Sequence, residues 1–341
     1  MNKQIKNIRF FNHIKINKDE TVTKLCNSND KFYQDKFLNE INWLLKAKKI
    51  IPSYIPEIIS YSLNRNNLWI KYKQIKFDTI HDLLINNQEI NWSDFIKSLK
   101  KYFDLTSQIQ PKIKESEEAE WNKKLNNFYF KRTIQNVNKT EKEILHSDNK
   151  TNNLFFEYDE IVINNKKYPS LKQLKKHFLN LIDKPEGIWK ELCQINKSKR
   201  ICFCHLDMVF SNIFFNSDNN IKLIDARGSF DDSKEYGDQL YDYAKLWQCI
   251  NGLYDFIVED KFELSIEENK IEYKILNPNL DDIKRKFLEL FPKKDHQKIF
   301  LIEALQFLNM PPYHKDKPNR QTIMICIGIE HLINLIGDSW K

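Results

Sequence analysis

The sequence predicts an α+β protein made of two lobes, a small N-terminal lobe with a β-sheet and one helix, and a larger, mostly helical C-terminal lobe. Two patterns support this prediction. Apolar residues alternate or form short blocks through the first seventy-odd positions, whereas from Thr79 onward they recur at spacings of three and four. In addition, 341 residues of which 41% are hydrophobic are enough to form two cores. We therefore divide the chain into a small N-terminal lobe, 1–73, and a larger C-terminal lobe, 74–341.

The small lobe is predicted to contain one helix between two pairs of strands. The helix covers residues 31–49, and Pro52 and Pro56 separate it from the strands that follow. The turn-like segment Asn64-Arg-Asn-Asn67 joins the last two strands. The predicted strands are 8–16, 21–25, 57–63 and 68–72.

The larger lobe is predicted to be helical with two interruptions by strands. Residues 154–157 and 160–163 have the pattern of a hairpin that is followed by Asn164-Asn165. Residues 201–204 and 221–224 form a second strand pair, which brackets a polar segment. The predicted helices are 79–86, 92–108, 117–136, 170–182, 185–196, 281–290, 295–309 and 320–336.

Composition excludes several classes of function. The 54 basic and 47 acidic residues give a net charge of +7 without a long basic run, which favours a solvated surface over nucleic-acid binding. Among six scattered cysteines only Cys202 and Cys204 lie close together, and two thiols make a poor metal site, so we expect reduced cysteines that serve packing. The N-terminus lacks the apolar core of a signal peptide, and nowhere do about 18 apolar residues run together. We expect a cytoplasmic protein without a membrane span.

A polar segment between the two strands near residue 210 contains the groups that phosphoryl transfer with magnesium requires. His205 and Asp207 are followed by Asn212, and Asp225 ends the second apolar strand. One carboxylate can deprotonate a hydroxyl, while an amide oxygen and a second carboxylate can hold the metal against nucleotide phosphates. Taken singly, Asp207 is also explained as a loop cap and His205 as a core histidine. The combination favours a catalytic segment.

Phosphoryl transfer also needs a cation for the phosphates and a carboxylate that holds this cation. Lys24 lies in the strand Glu20-Thr-Val-Thr-Lys-Leu25, and Glu40 falls at the margin of the apolar stripe of the predicted helix. Asp35 lies near the other margin and competes with Glu40 for this role. An ordinary surface pair between Lys24 and Glu40 is the alternative.

The pattern His205-x-Asp207-x4-Asn212 followed by Ile224-Asp225 resembles the motif of the aminoglycoside phosphotransferase and choline kinase superfamily, which shares the protein-kinase-like fold. Tyr236-Gly-Asp238-x2-Tyr-Asp242-Tyr-Ala244 resembles the helix start that follows the metal Asp in this superfamily. The string from Ile224 to Phe230 and the late Pro-x-His314-x-Asp316 look most like a bacterial branch associated with capsule and surface-polysaccharide synthesis.

The resemblance implies a role for each matching residue. Asp207, together with His205, belongs to the catalytic motif, with Asp207 as the base, and Asn212 and Asp225 are implied ligands of Mg²⁺. Lys24 is the implied phosphate contact, braced by Glu40, and Asp242 is an implied structural carboxylate. The residues Lys71, Tyr72 and Lys73 correspond to the strand entering the hinge, whose backbone holds the base of ATP or GTP in a cleft between the lobes.

Two departures from the family pattern concern the nucleotide and the catalytic loop. Residues 11–19 contain no Gly, so contacts to the phosphates would come from Asn12, His13 or Lys18 in place of a Gly-rich loop. Leu206 stands where this superfamily usually has Gly.

The acceptor is implied to be a small molecule with a hydroxyl group, sugar-like and, because of Arg227, anionic. A guanidinium two residues after the metal Asp can grip an anionic acceptor, and its alternative is an internal salt bridge to Asp231, Asp232 or Glu235. The residues His314, Asp316 and Arg320 form a second polar cluster, which either contacts the acceptor or caps helices. The expected function is an ATP- and Mg²⁺-dependent small-molecule kinase of surface-glycan synthesis. The alternative is a nucleotide-binding pseudokinase that regulates or scaffolds a partner enzyme.

Overall fold

The computed structural model describes residues 12–146, 152–195, 200–216, 218 and 220–337. The chain packs into two compact units. The first consists of the chain up to residue 110 together with 202–237, and the second of 111–201 together with 238 to the end. The predicted boundary between residues 73 and 74 stays a prediction.

The N-terminal segment of the first unit is a four-stranded antiparallel sheet with one long helix. The sheet order is β1-β2-β4-β3, so β4 is a central strand with neighbours on both sides. Asp30 caps the helix by accepting a hydrogen bond from the amide of Phe32 at 2.8 Å. The elements are β1 (Asn12–Ile16), β2 (Thr21–Cys26), α1 (Lys31–Ile50), β3 (Ile58–Ser62) and β4 (Trp69–Lys73). The part of the predicted first strand before residue 12 lies outside the described residues.

The next part of the chain is helical, and it passes from the first unit into the second after residue 110. Its elements are α2 (Ile80–Ile85), α3 (Trp92–Thr106), α4 (Glu118–Asn126), α5 (Arg132–Leu145), α6 (Leu154–Glu157), β5 (Glu160–Ile163), β6 (Lys166–Pro169), α7 (Leu171–Asp183) and α8 (Gly187–Leu192). The predicted hairpin partner of β5 is wrong. Residues 154–157 form the short helix α6, and β5 pairs with β6 across Asn164 and Asn165, which both adopt positive φ angles (46° and 65°).

The chain then returns to the first unit through six short strands. The second predicted strand pair is also wrong, because β9 pairs with β8, which immediately precedes it, and not with β7. The amide of Cys204, just after β7, donates to the carbonyl of Glu235, just before β12. The strands are β7 (Ile201–Phe203), β8 (Ile213–Asn216), β9 (Asn220–Leu223), β10 (Ser229–Phe230), β11 (Ser233–Lys234) and β12 (Tyr236–Asp238).

The rest of the second unit contains five helices among its described residues and a hairpin that the sequence pattern did not predict. Strands β13 and β14 extend the β5–β6 pair into a sheet with the order β13-β14-β5-β6. Helices α12 and α13 pack together in the core, with Phe307, Ile323 and Met324 fully buried. The elements are α9 (Gln239–Ile250), α10 (Tyr254–Val258), β13 (Phe262–Glu267), β14 (Lys270–Ile275), α11 (Asp281–Leu288), α12 (Lys293–Asn309) and α13 (Pro318–Ile336).

The predicted fold class, α+β with a small N-terminal sheet and one helix before a larger, mostly helical part, is confirmed. Within the described part of the chain, no helix has the length and apolar character that crossing a membrane requires.

Candidate active site

Lys24, Glu40 and Asp225 form a buried charge cluster inside the first unit. The ammonium Nζ of Lys24 donates to both carboxylate oxygens of Glu40, at 2.7 and 2.8 Å, and to Oδ1 of Asp225 at 2.6 Å. The Lys24 side chain is only 1% exposed. Burial alone lowers the pKa of Lys24, but the charges of Asp225 and Glu40 outweigh this effect and raise its pKa. The cation therefore stays charged between two anions that come from different elements.

Helix α1 presents Glu40, and not Asp35, to Lys24. Glu40 is buried beside Phe37 and Ile41, on the apolar side of the helix. Asp35 lies at the surface, where it forms an ion pair with Arg65 and its side chain is 43% exposed. A surface pair of this kind contributes little to stability. Of the two candidate carboxylates on the helix, only Glu40 therefore reaches the buried cation.

His205 is fully buried and bonds the backbone on both of its ring nitrogens. Its Nε2 lies 2.9 Å from the carbonyl oxygen of Ile224, and its Nδ1 lies 3.3 Å from the amide nitrogen of Asp207. Because a carbonyl only accepts and an amide only donates, Nε2 carries the proton and Nδ1 is bare. Burial lowers the pKa of His205 to about 4, so the ring is neutral at pH 7. The histidine thus ties the loop of Asp207 to the residue before Asp225, as the core-histidine alternative expects.

Asn212 connects Asp207 to the strand that leads to Asp225. Its amide Nδ2 donates to the backbone carbonyl of Asp207 at 2.8 Å and lies 3.4 Å from Oδ2 of the same residue. The backbone carbonyl oxygen of Asn212 accepts a hydrogen bond from the amide of Ile224 at 3.1 Å. With Nδ2 directed at Asp207, Oδ1 is the side-chain atom that can act as a ligand. The three polar residues of the motif therefore lie together at one end of the β8–β9 hairpin.

Two positions of this segment adopt a left-handed backbone that glycine adopts more easily. Leu206 has φ 65° and Asp225 has φ 58°. Such a conformation costs about 1 kcal/mol or more for a residue with a Cβ atom, and it persists only where packing enforces it. Leu206 is 1% exposed, so burial of its side chain offsets this cost. The positive φ gives a physical reason for the glycine that related motifs carry at the position of Leu206.

The donor set of the site fits Mg²⁺ that is shared with phosphate groups. In the described ranges, which omit 147–151 and 196–199 among others, no three His, Cys, Asp or Glu residues are grouped so that they could hold a metal ion. Asn212 and Asp225 offer one amide oxygen and one carboxylate, and Mg²⁺ is commonly bound by one or two such protein groups together with phosphates and water. All six cysteines are free thiols.

Arg227 follows Asp225 in the same loop and is half-buried. Its Nε donates to the carbonyl of Ser229 at 3.2 Å, and its backbone amide donates to the carbonyl of His205 at 3.0 Å. Glu235, one of three carboxylates considered as its partner, forms an ion pair with Lys46 at 2.6 Å. The loop of Arg227 is thereby hydrogen-bonded to the segment of His205 and Asp207.

The predicted hinge strand is the central strand β4. The side chains of Lys71 and Lys73 pair with the surface carboxylates of Asp19 and Glu57, at 2.8 and 2.6 Å. Tyr72 is buried, and its burial together with the nearby charge of Asp225 raises its pKa. Because the backbone of these residues is hydrogen-bonded to strands on both sides, contacts to a base would come from the chain just beyond β4.

The turn between β1 and β2 is held by side chains in the absence of glycine. Nδ2 of Asn17 donates to the hydroxyls of Thr21 and Thr23, both at 2.9 Å. Glu20 occupies a positive φ of 56°. Polar side chains thus order this turn, in which a Gly-rich loop would use its backbone amides.

His314, Asp316 and Arg320 lie together in the second unit. Asp316 and Arg320 line a cavity of about 490 Å³ with Asp260, Phe262, Lys317, Pro318 and Asn319. Arg320 binds Asp260 through two hydrogen bonds of 2.6 and 2.7 Å, so its guanidinium has an internal partner. Burial, followed by the charge of Arg320, lowers the pKa of His314 to about 4. The ring of His314 lies 6.4 Å from that of Tyr254.

Two residues that pack in or against the segment 204–228 were not recognised as important from the sequence. Trp43 is completely buried and donates from Nε1 to the carbonyl of Cys204 at 2.8 Å. Gly228 packs against the backbone of α1 at Asn39. The chain has only six glycines, so a glycine three residues after Asp225 was the available signal. Nothing in the helical periodicity distinguishes Trp43 from any other buried residue.

Comparison with known proteins gives a likeness of fold only. No family model matches the chain, and no curated protein matches it. The ternary complex of APH(2'')-IIa with streptomycin and ATP is similar at 15% identity and a TM-score of 0.48, over 96% of this chain and 90% of that chain. The GDP complex of wild-type aminoglycoside 2'-phosphotransferase-IIIa is similar at 11% identity and a TM-score of 0.48, over 96% and 91% of the two chains. Similarity at this level does not assign an activity to this chain.

Proposed function

We propose that this protein is a small-molecule kinase, a phosphotransferase with an alcohol group as acceptor, which uses ATP or GTP with Mg²⁺. The observation that carries the proposal is the double ion pair of Lys24 with Glu40 and Asp225, beside the linked Asp207 and Asn212. A buried cation held between two carboxylates, next to a half-exposed carboxylate and an amide oxygen, meets the requirements of phosphoryl transfer.

Asp207 is the proposed general base. It orients the acceptor hydroxyl and takes up its proton as the new oxygen–phosphorus bond forms. The Asn212 amide and the His205 ring hold the backbone of Asp207 at two points, which fixes the direction of its carboxylate. A positioned base contributes roughly 10²- to 10⁴-fold to such a rate. His205 acts by positioning, because a neutral ring with both nitrogens engaged is not available to carry protons.

Asn212 and Asp225 are the residues that would hold Mg²⁺. When bound, the ion neutralises charge on the phosphate oxygens. Oδ1 of Asp225 accepts a hydrogen bond from Lys24, so a cation and a candidate metal ligand lie side by side, as the proposal requires. Glu40 keeps Lys24 oriented while the hydrogen bond from Lys24 to Asp225 would be exchanged for one to a phosphate. The base of the nucleotide is proposed to bind where the chain leaves β4, next to Lys71, Tyr72 and Lys73.

The acceptor is proposed to be a sugar or a sugar-like metabolite of capsule or surface-glycan synthesis in the cytoplasm. Arg227 lies in the catalytic loop and supplies a cation for an anionic group of this acceptor. His314, Asp316 and Arg320 are proposed acceptor contacts in the C-terminal part, residues 74–341. Arg320 also binds Asp260, which lines the same cavity as Arg320 and Asp316.

A nucleotide-binding protein without catalysis is the second candidate, which the turn at Glu20 favours. That turn offers no glycine amides to cradle phosphates. The set Asp207, Asn212 and Asp225 argues against it, because nucleotide binding alone does not require a base together with metal ligands.

Calorimetric titration with ATP, in MgCl₂ and in EDTA, tests the nucleotide site. We expect binding in MgCl₂ that weakens at least tenfold in EDTA and at least tenfold in Asp225→Asn. The substitution Asp218→Asn at the exposed tip of the β8–β9 hairpin is the matched control and should bind as wild type does. Absence of ATP binding, or binding that neither EDTA nor Asp225→Asn weakens, would overturn the proposal.

A further inference from the structure

Helix α1 contacts the part of the chain between Cys204 and Glu235, which contains Asp207 and Asp225, at three places along one face. Asn39 touches Gly228, Trp43 bonds to Cys204, and Lys46 pairs with Glu235. Spacings of four and three residues place all three contacts on the same side of the helix. Glu40 lies within this stretch of α1, between the first contact and the second.

The middle contact is fully buried. Trp43 Nε1 donates to the carbonyl of Cys204 at 2.8 Å, and this carbonyl belongs to the residue before His205. The indole stacks on Phe203 with ring centroids 5.1 Å apart and planes at 8°, and it meets the ring of His205 edge-on, also at 5.1 Å. Trp43 is 0% exposed, so loss of its hydrogen bond would leave the Cys204 carbonyl buried without this donor.

The first contact is possible because Gly228 has no side chain. A Cβ atom at Gly228 would lie 2.3 Å from the carbonyl oxygen of Asn39, which is far inside contact distance. The third contact is more exposed. Nζ of Lys46 lies 2.6 Å from Oε2 of Glu235, 3.3 Å from the hydroxyl of Tyr236 and 4.8 Å above the ring of that tyrosine. Together the contacts fix both the distance and the rotation of α1 relative to the loops.

We infer that Trp43 is a positioning residue, which holds α1 in the register that keeps Glu40 on Lys24. Without the bond to Cys204 the helix can turn or withdraw, and Glu40 would no longer hold the ammonium of Lys24 in place. Trp43 touches none of the reacting groups, so it acts through Glu40 and through the backbone next to His205. The inference rests on the proposed function for its effect on turnover, but the effect on Lys24 is independent of any activity.

The test compares Trp43→Phe with the control variant Trp121→Phe. Trp121 is a buried tryptophan of α4 in the second unit. Phenylalanine keeps an aromatic ring against Phe203 but cannot donate to Cys204. The first readout is acetylation of Lys24 by an amine-reactive ester, measured by peptide mass spectrometry on the ligand-free protein. We expect at least fivefold faster labelling of Lys24 in Trp43→Phe and in Glu40→Gln, and no change in Trp121→Phe.

The second readout is turnover of Mg²⁺-ATP. We expect kcat to fall about tenfold in Trp43→Phe while KM for ATP changes less than threefold, and we expect Trp43→Phe with Glu40→Gln to be no slower than Glu40→Gln alone. If Trp43→Phe does not fold, Lys46→Met, at the exposed end of the same face, replaces it with an expected two- to threefold effect on both readouts.

The outcomes separate the two claims. If the wild type does not turn over Mg²⁺-ATP but Lys24 is still labelled faster in Trp43→Phe than in wild type, the positioning role is supported and the proposed function is removed. An active wild type whose Trp43→Phe variant keeps both its kcat and the slow labelling of Lys24 would overturn the inference.

Discussion

Lys24 and Asp225 are 201 residues apart in the sequence, and their side chains meet at 2.6 Å. Strand β2 delivers the cation, and the loop after β9 delivers the carboxylate. Glu40 binds the same ammonium from α1, so three separate segments depend on one buried charge. Removal of one member of such a cluster leaves the others uncompensated.

Lys24→Met should therefore destabilise the protein by about 3 kcal/mol, because the buried carboxylate of Glu40 and the partly exposed carboxylate of Asp225 are left without the cation between them. Added MgCl₂ should recover part of this loss, since a divalent cation can take the position beside Asp225. Urea unfolding with and without MgCl₂ measures both effects. Lys100→Met, which removes an exposed pair with Asp104, is the control and should cost less than about 1 kcal/mol. Equal stabilities of the two variants would contradict the prediction.

His205→Gln should remove a pH dependence of stability. The pKa of His205 falls from 6.5 to about 4 on folding, so the unfolded chain takes up the proton first and the folded state loses stability as the pH falls from 6.5 towards 4. The full effect is about 3 kcal/mol. Glutamine keeps a donor for the carbonyl of Ile224 but does not titrate.

Urea unfolding at pH 7, 5.5 and 4.5 checks this prediction. The wild type should lose more stability over this range than His205→Gln does, whereas His146→Gln, which changes an exposed histidine, should follow the wild type. Parallel curves for wild type and His205→Gln would show that His205 is not buried in its neutral form.

Gly228→Ala should damage the site far more than a comparable substitution elsewhere. Gly228 and Gly187 both have positive φ angles, 70° and 51°, so alanine costs about 1 kcal/mol at either position for conformation alone. At Gly187 a Cβ atom has no atom of the described residues within 4 Å, but at Gly228 it meets the carbonyl of Asn39 at 2.3 Å.

The difference in stability between Gly228→Ala and Gly187→Ala measures the contribution of the close contact between α1 and Gly228. We expect Gly228→Ala to lose at least about 2 kcal/mol more than Gly187→Ala and to weaken ATP binding, with stability read from urea unfolding. Similar stabilities and similar ATP affinities would show that α1 does not pack on this loop as described.

Arg227→Ala should discriminate between acceptors. If the guanidinium grips an anionic group, its loss should reduce kcat/KM at least tenfold more for a phosphorylated sugar or a uronic acid than for the matching neutral sugar, because a charge-assisted hydrogen bond contributes about 1.5 to 3 kcal/mol. Initial rates on matched pairs of acceptors give the comparison. Equal losses on both members of each pair would assign Arg227 to an internal role.

The local parts of this structure were predictable from the sequence. The periodicity of residues 31–49 predicted α1, and the apolar run around Ile70 predicted β4. Periodicity placed Glu40 at one margin of the apolar stripe and its competitor Asp35 near the other, and the structure brings Glu40 to Lys24. These features depend on neighbours within a few residues, which periodicity reports directly.

Strand pairing was not predictable in the same way. Residues 154–157 are a short apolar run, which fits a buried helical turn as well as a strand. Asn164-Asn165 was predicted to follow a hairpin, but it forms the turn of the hairpin between β5 and β6. The hairpin of β13 and β14 was missed although burial alternates strictly along β13. The contact between Trp43 and Cys204 joins residues 161 positions apart, and nothing local in the sequence encodes it.

Release of ADP from Mg²⁺-ATP on a panel of neutral and anionic sugars, measured for wild type and for Asp207→Asn, tests whether Asp207 is the general base of a phosphotransferase. Asparagine preserves the size of the side chain and spares Asn212 and Asp225, so ATP binding should be unchanged. We predict that at least one sugar stimulates ADP release by the wild type and that Asp207→Asn reduces this rate at least 100-fold. Equal rates for wild type and Asp207→Asn on every sugar would contradict the assignment of this site to phosphoryl transfer.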